Sequence, residues 1–158
     1  MHYLVNVIVK AKDATEANAE TDSLMMNLVE CKEFDWYSGE DDDSRWEDCW
    51  KPMQLSNEKA QAIVQVTMQS QFAEFKEALS AIRLMLTDYT DEQIFNEQFE
   101  PVEGRYLSRY QFDRASGYHG GVCQLFNDGG EPIISQQELD WYLKDPKDFW
   151  LVRVGCHN

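Results

Sequence analysis

This 158-residue sequence predicts an α+β fold, a single mixed or antiparallel sheet of about five strands with helices mainly on one face. Three observations lead there. Strand-like, β-branched runs stand at both ends, Tyr3–Lys10 (YLVNVIVK) and Phe149–Cys156 (FWLVRVGC). Capping signatures open amphipathic segments between them. No repeat, low-complexity tract or interdomain linker divides the chain, so residues 1–158 read as one domain long enough to bury a core.

The elements follow in order. After the first strand, Asp13 reads as an N-cap with Glu16 in capping-box spacing, and the helix runs to about Val29 with Ala17, Leu24, Met25 and Leu28 on one face. Residues 34–54, with Gly39, Pro52 and dense charge, read as a long acidic-aromatic loop, a length that points to function when rings are present. Gln61–Met68 (QAIVQVTM) reads as a second strand. Ser70 caps a core helix whose apolar positions are Phe72, Phe75, Leu79, Ile82 and Leu86. Thr90 with Gln93 marks a short helix over Asp91–Gln98, ended by Pro101. Arg105–Asp113 reads as a third strand, with Tyr106, Ser108, Tyr110 and Phe112 on one face and the rings as sheet core. A glycine-rich turn at Ser116–Gly121, a fourth strand at Gly121–Asn127 and a tight turn at Asp128-Gly129-Gly130 follow. Ser135 with Glu138 opens a last helix through Leu143. Each of the first two expected strands is followed by a helix, as in ferredoxin-like layering, which concerns fold and not function.

Charge is the strongest functional signal. The formal net charge is −15, and hydrophobic residues at 43% argue for a folded chain rather than a disordered acidic tail. Nucleic acid and anionic membrane are repelled by such a surface, whereas a basic protein is attracted. Segments 30–50 and 88–103 carry −7 and −6, together −13 of the −15. Uniform solubilising charge would not be concentrated in this way. Segment 30–50 also holds Trp36, Trp46 and Trp50, and large rings set among carboxylates favour burial or a partner surface.

No catalytic or metal motif accompanies these features. Consecutive Asp41, Asp42 and Asp43 lack the spaced ligands of a calcium loop. His2, His119 and His157 have no zinc spacing to Cys31, Cys49, Cys123 or Cys156, and the cysteines form no C-x-x-C pair, which fits free thiols in a reducing cytoplasm. No signal peptide or membrane-length apolar run is seen. G-x-S-x-G is absent, and S-G-Y-H-G-G lacks the ending of a phosphate loop. No cofactor is implied.

Phe34-Asp35-Trp36-Tyr37, followed by Arg45-Trp46, resembles a group of uncharacterised small phage and bacterial proteins that carry D-W-Y before G-G-R-W and end on a V-D-x-H strand; here the end is Val154-Gly155-Cys156-His157. Asp43-Ser44 stands where that group has paired glycines, and Gly155 where it has aspartate. The resemblance implies a phage or mobile-element setting, and that Asp35, Trp36, Arg45, Trp46 and His157 approach one another. It implies no activity. In that corner Arg45 is expected to pair with Asp35.

The expected function is that of a non-enzymatic acidic interaction protein, an inhibitor or DNA mimic that occupies a basic surface of a nucleic-acid-handling host protein. Its partner-binding residues would be Glu40, Asp41, Asp42, Asp43, Trp46, Glu47, Asp48, Trp50, Asp91 and Glu92. Two alternatives stand beside it. One is a small-ligand site or hydrolase built from Arg109, His119 and His157. The other is a structural or assembly protein, with oligomerisation through exposed rings.

Overall fold

The structure, a computed structural model, describes residues 2–39, 46, 48–102, 104, 106–116 and 124–157. Its elements are β1 (His2–Lys10), α1 (Ala14–Glu30), β2 (Trp36–Tyr37), β3 (Met53–Gln54), α2 (Glu58–Asp88), α3 (Asp91–Phe95), α4 (Tyr110–Ser116), β4 (Leu125–Phe126), α5 (Gln136–Lys144), a 3₁₀ turn (Pro146–Asp148) and β5 (Phe149–His157). This is an α+β fold around one mixed, five-stranded sheet.

The two β-branched ends of the sequence find each other. β1 and β5 pair antiparallel over their full length, from His2↔His157 to Lys10↔Phe149. β4 lies parallel to β1 on the other side, with Asn6↔Leu125 and Val7↔Phe126. β2 and β3 both pair antiparallel with the outer edge of β5.

Strand alternation then sorts the core onto two faces. Val5, Val7, Val9, Val152, Val154 and Cys156 pack with Leu24, Met25 and Leu28 of α1. Ile8 and Leu151 pack with Ala60, Val64 and Met68 of α2 and Leu139 and Tyr142 of α5. α1 alone therefore covers one face, and the remaining sheet-packed helices lie on the other. Side chains reinforce the short β4. Asn6 Nδ2 donates to Thr67 Oγ1 at 3.0 Å and to the Gln124 carbonyl, while Gln71 donates to the Ile133 carbonyl and accepts from the Gln124 amide at 2.8 Å. These buried amides tie α2 to both β1 and the chain entering β4.

Several local expectations are corrected. Residues 61–68 are helix, not strand: Asn57 caps Lys59 N at 2.8 Å, and Ala60, Val64 and Met68 are buried at helical spacing. The Ile63-Val64 and Val66-Thr67 pairs are β-branched, yet tertiary packing outweighs that propensity. The premise of ferredoxin-like layering goes with that strand. α2 continues unbroken through Ser70 to Asp88, about 46 Å at the usual rise. Strands of nine residues span only about 30 Å, so the helix overhangs the sheet. Of the expected stripe Ile82 is buried, packing with Met85 against Leu107 on the overhang, and Leu79 is half-buried; Phe72, Phe75 and Leu86 are exposed.

Over its described part, 106–113, the expected strand is instead a loop that runs into the first turn of α4. Its buried positions are Leu107, Ser108 and Gln111, without strand alternation, and the alternating rings Tyr106, Tyr110 and Phe112 face solvent instead of a sheet core. Of the expected strand at 121–127, the described part is β4, and residues 121–123 lie outside the described residues. No helix among the described residues is long and apolar enough to cross a membrane.

Thiol chemistry offers a check on this packing. Cys156 is buried against the α1 face, and burial pushes its thiol pKa far up, whereas Cys31 at the end of α1 is exposed. In native protein, iodoacetamide followed by peptide mapping is expected to modify Cys31 within minutes and Cys156 only after denaturant is added. Rapid native labelling of Cys156 would contradict the β1–β5 core.

Candidate functional site

The acidic-aromatic segment is an outgrowth of one edge strand. Trp36 pairs with His157 and Met53 with Leu151, so the edge uses 17 residues where β5 uses 6, an excess of 11. The chain leaves the edge at Ser38, whose amide donates to the Gly155 carbonyl at 2.9 Å, and returns at Trp50, whose amide donates to the Arg153 carbonyl at 3.0 Å. The excursion therefore has a narrow neck, two residues wide on β5.

Trp50 closes that neck. Its side chain is 5% exposed, its indole Nε1 donates to the Ser38 carbonyl at 2.7 Å, and its own carbonyl accepts from Asn18 of α1. Tyr37 stacks obliquely nearby, and its hydroxyl donates to Asp22 of α1 at 2.7 Å; burial and that carboxylate push its pKa up to about 12. Trp50 is thus a core staple and not the exposed partner anchor expected from the sequence. Its backbone at φ 54 is left-handed, a cost of about 1–2 kcal/mol that ring burial and the hydrogen bonds offset.

Asp48, also expected to meet a partner, is engaged within the chain. Lys59 Nζ donates to its Oδ2 at 2.5 Å, and this hydrogen bond holds its carboxyl below the usual range. A depressed carboxyl pKa contributes stability above the unfolded-state pKa, near about 4, and loses it as pH falls through the lower folded value. Lys59 is 60% exposed, so water screens the pair and about 1 kcal/mol bounds its worth. Asp48→Asn is expected to lower stability by that small amount at neutral pH and by progressively less as pH falls below the unfolded-state value near about 4, read from urea unfolding at several pH values.

At the base of the excursion the structure gathers four groups. His157 Nδ1 lies 3.2 Å from Asp35 Oδ2, Trp36 stacks on His157 at 5.5 Å with planes 6° apart, and His2 meets both rings edge-on. Asp35, Trp36 and His157 thus do approach one another. The expected Asp35–Arg45 pair cannot be placed, since Arg45 lies outside the described residues. Trp46 is half-buried, and Glu40, Asp41, Asp42, Asp43, Glu47 and His119 also lie outside them.

The second acidic segment is described over 88–102 and carries its own rings. Thr90 caps α3 with a capping box, which leaves Asp91 and Glu92 exposed in the first turn. Phe95 is 71% exposed beneath the Arg109 guanidinium, 5.6 Å from its ring centre, and the Arg109 amide donates to Glu97 at 2.9 Å. Glu97, Arg109, Tyr110, Phe112 and Asp113 line a shallow cavity of about 480 Å³, and Tyr106, preceding α4, is 73% exposed. Sequence reasoning singled out Asp91 and Glu92 but put Tyr106, Tyr110 and Phe112 in a sheet core; Phe95, inside the second acidic stretch, was the signal that could have found this face. Arg109 and His157 have separate settings, the one against α3, the other against β2. Among the described residues no group of three or more His, Cys, Asp or Glu could hold a metal ion.

Fold and surface together define an α+β domain with a mixed sheet, an acidic edge excursion and an acidic-aromatic helical face. Residues 1–158 match the model of the family described as Domain of unknown function (DUF7995), and the chain belongs to that family. No curated protein matches it, and no solved structure does.

Proposed function

We propose that this protein is a non-enzymatic acidic interaction protein that occupies a basic surface of a nucleic-acid-handling protein. The observation that carries the reading is the face formed by α3 and α4, where Phe95, Tyr106, Tyr110 and Phe112 are exposed among Asp91, Glu92, Glu97 and Asp113. Exposed rings contribute nothing to the core and much to an interface, and the carboxylates around them select a cationic partner. The excursion, with Glu40–Asp43 in its sequence, supplies the larger share of charge. In the strong form of this reading, carboxylates stand in for the phosphates of a nucleic acid and the protein acts as an inhibitor. The separate settings of Arg109 and His157 weigh against a shared ligand pocket.

Phe95→Ala and Tyr106→Ala are expected to leave thermal stability within about 0.5 kcal/mol, because both rings are exposed. Each is expected to weaken binding to the captured partner by about 1–2 kcal/mol, measured by calorimetry. Unchanged affinity in both variants would remove α3 and α4 from the interface.

A further inference from the structure

The acidic segment 30–50 holds one open indole, and the sheet builds a shelf beneath it. Trp50 is sealed in the core and Trp46 is half-buried, whereas Trp36 is 41% exposed. Strand register sets its place, since Trp36 pairs with His157 of β5 and His157 pairs with His2 of β1. Rings from three neighbouring strands therefore meet at one end of the sheet. The indole lies on the His157 imidazole, 5.5 Å between centres and 6° from parallel, and His2 meets it edge-on at 5.4 Å. One face of the indole is thus backed by protein, and the stack holds its open area in place.

Charge at this shelf has one sign. Asp35 Oδ2 lies 3.2 Å from His157 Nδ1, and the Asp35 side chain is 66% exposed, which leaves its carboxylate open to a further donor. Glu33 adds to the field: burial first, then Cys156, Glu33 and Asp35, push up the pKa of the Tyr3 hydroxyl, one residue along β1 from His2. Residues 30–39, all of them described, carry Glu30, Glu33 and Asp35 against Lys32, three carboxylates to one amine. Among the described residues no lysine or arginine pairs with Asp35 or Glu33. An exposed indole beside an open carboxylate complements a planar cation. A guanidinium can lie on the ring and donate to the carboxylate at the same time, whereas an ammonium makes a point contact. The chain does the same within itself, where Arg109 lies over Phe95, 5.6 Å from its ring centre.

We infer that the Trp36 shelf takes an arginine side chain of the basic partner, its guanidinium stacked on the indole and donating to Asp35. This inference rests on the proposed acidic interaction function and adds to it a contact at the sheet end, with arginine selected over lysine. Trp36, and not Trp50, is then the tryptophan of the acidic segment that meets the partner.

The test titrates the full chain with three capped Gly-X-Gly peptides, X being arginine, lysine or citrulline, and follows the Trp36 indole N–H and His157 ring signals by NMR. The arginine peptide is expected to shift both signals and to bind at least about three-fold more tightly than the lysine peptide. Citrulline keeps the shape without the charge, and its peptide is expected to leave both signals in place. Trp36→Ala is expected to weaken arginine binding at the His157 signals at least about three-fold; Asp35→Asn, which removes only charge, is a second variant should the first fail to fold. Arginine binding that spares the Trp36 and His157 signals, or is indifferent to both substitutions, would overturn the shelf and leave the acidic reading standing. Equal binding of lysine or citrulline would overturn the selection of a guanidinium. An Arg45→Ala variant that binds the arginine peptide about ten-fold more tightly would show that the chain's own arginine takes the place, and would overturn the partner's claim to it. Failure of both cationic peptides to bind anywhere on the chain would overturn the shelf and count against the acidic reading as well.

Discussion

Trp50→Ala is expected to destabilise the protein by about 3–5 kcal/mol, the usual cost of removing a large buried ring. The indole packs in the cluster that joins α1 to the β1–β5 pair, and it holds the Ser38 carbonyl across the neck. Alanine would leave a cavity beside Tyr37 and free the two ends of the excursion from each other. Trp50→Phe retains most of the apolar contact but not the Nε1 donor, so it is expected to cost about 1–2 kcal/mol. Urea unfolding followed by far-ultraviolet dichroism measures both. A loss below about 0.5 kcal/mol for the alanine variant would mean that the neck is not closed by this residue, and that Trp50 is available to a partner after all.

The contrast with Trp36 is instructive. Both tryptophans lie in the same acidic stretch, yet Trp36 is 41% exposed on a ring shelf with His157, while Trp50 is nearly inaccessible. Composition alone treats them alike. Their fates are decided by which residues of β5 they stand beside, and that pairing spans more than a hundred positions of sequence.

The same reason separates what could be read along the chain from what could not. β1, α1, α5 and β5 were legible because local signals agree there: β-branched runs for the strands, Asp13 and Ser135 at N-caps for the helices. Residues 61–68 misled because valine, isoleucine and threonine favour a strand, while the buried spacing of Ala60, Val64 and Met68 is helical. Tyr106, Tyr110 and Phe112 misled in the opposite sense, since alternation suggests a half-buried strand and these rings are exposed beside α3. At the candidate site, Asp91 and Glu92 were legible from charge alone. The closure of the neck and the pairing of Asp35 with His157 depend on long-range contacts; the second was indicated only by resemblance.

Reversal of charge in the excursion carries the other large expected effect. Asp41→Lys, Asp42→Lys and Asp43→Lys together change the formal net charge from −15 to about −9 and place cations in the segment where the carboxylates are densest. Steered association between opposite charges gains roughly 10–1,000-fold in rate and loses it with ionic strength, so the triple variant is expected to associate at least about ten-fold more slowly at low salt. Its dissociation rate is expected to change less, because apolar anchoring lies elsewhere. Since the neck is closed by Trp50 and Ser38, the fold is expected to tolerate the change.

Affinity capture of a partner from native cells, washed at graded salt and repeated with the triple variant, decides whether charge holds the complex. The expected capture is a basic protein that is retained at low salt, released progressively as salt rises, and retained poorly by the variant from the outset. A partner that stays bound at about 1 M salt and binds the Asp41–Asp43 reversal as well as the original would contradict it.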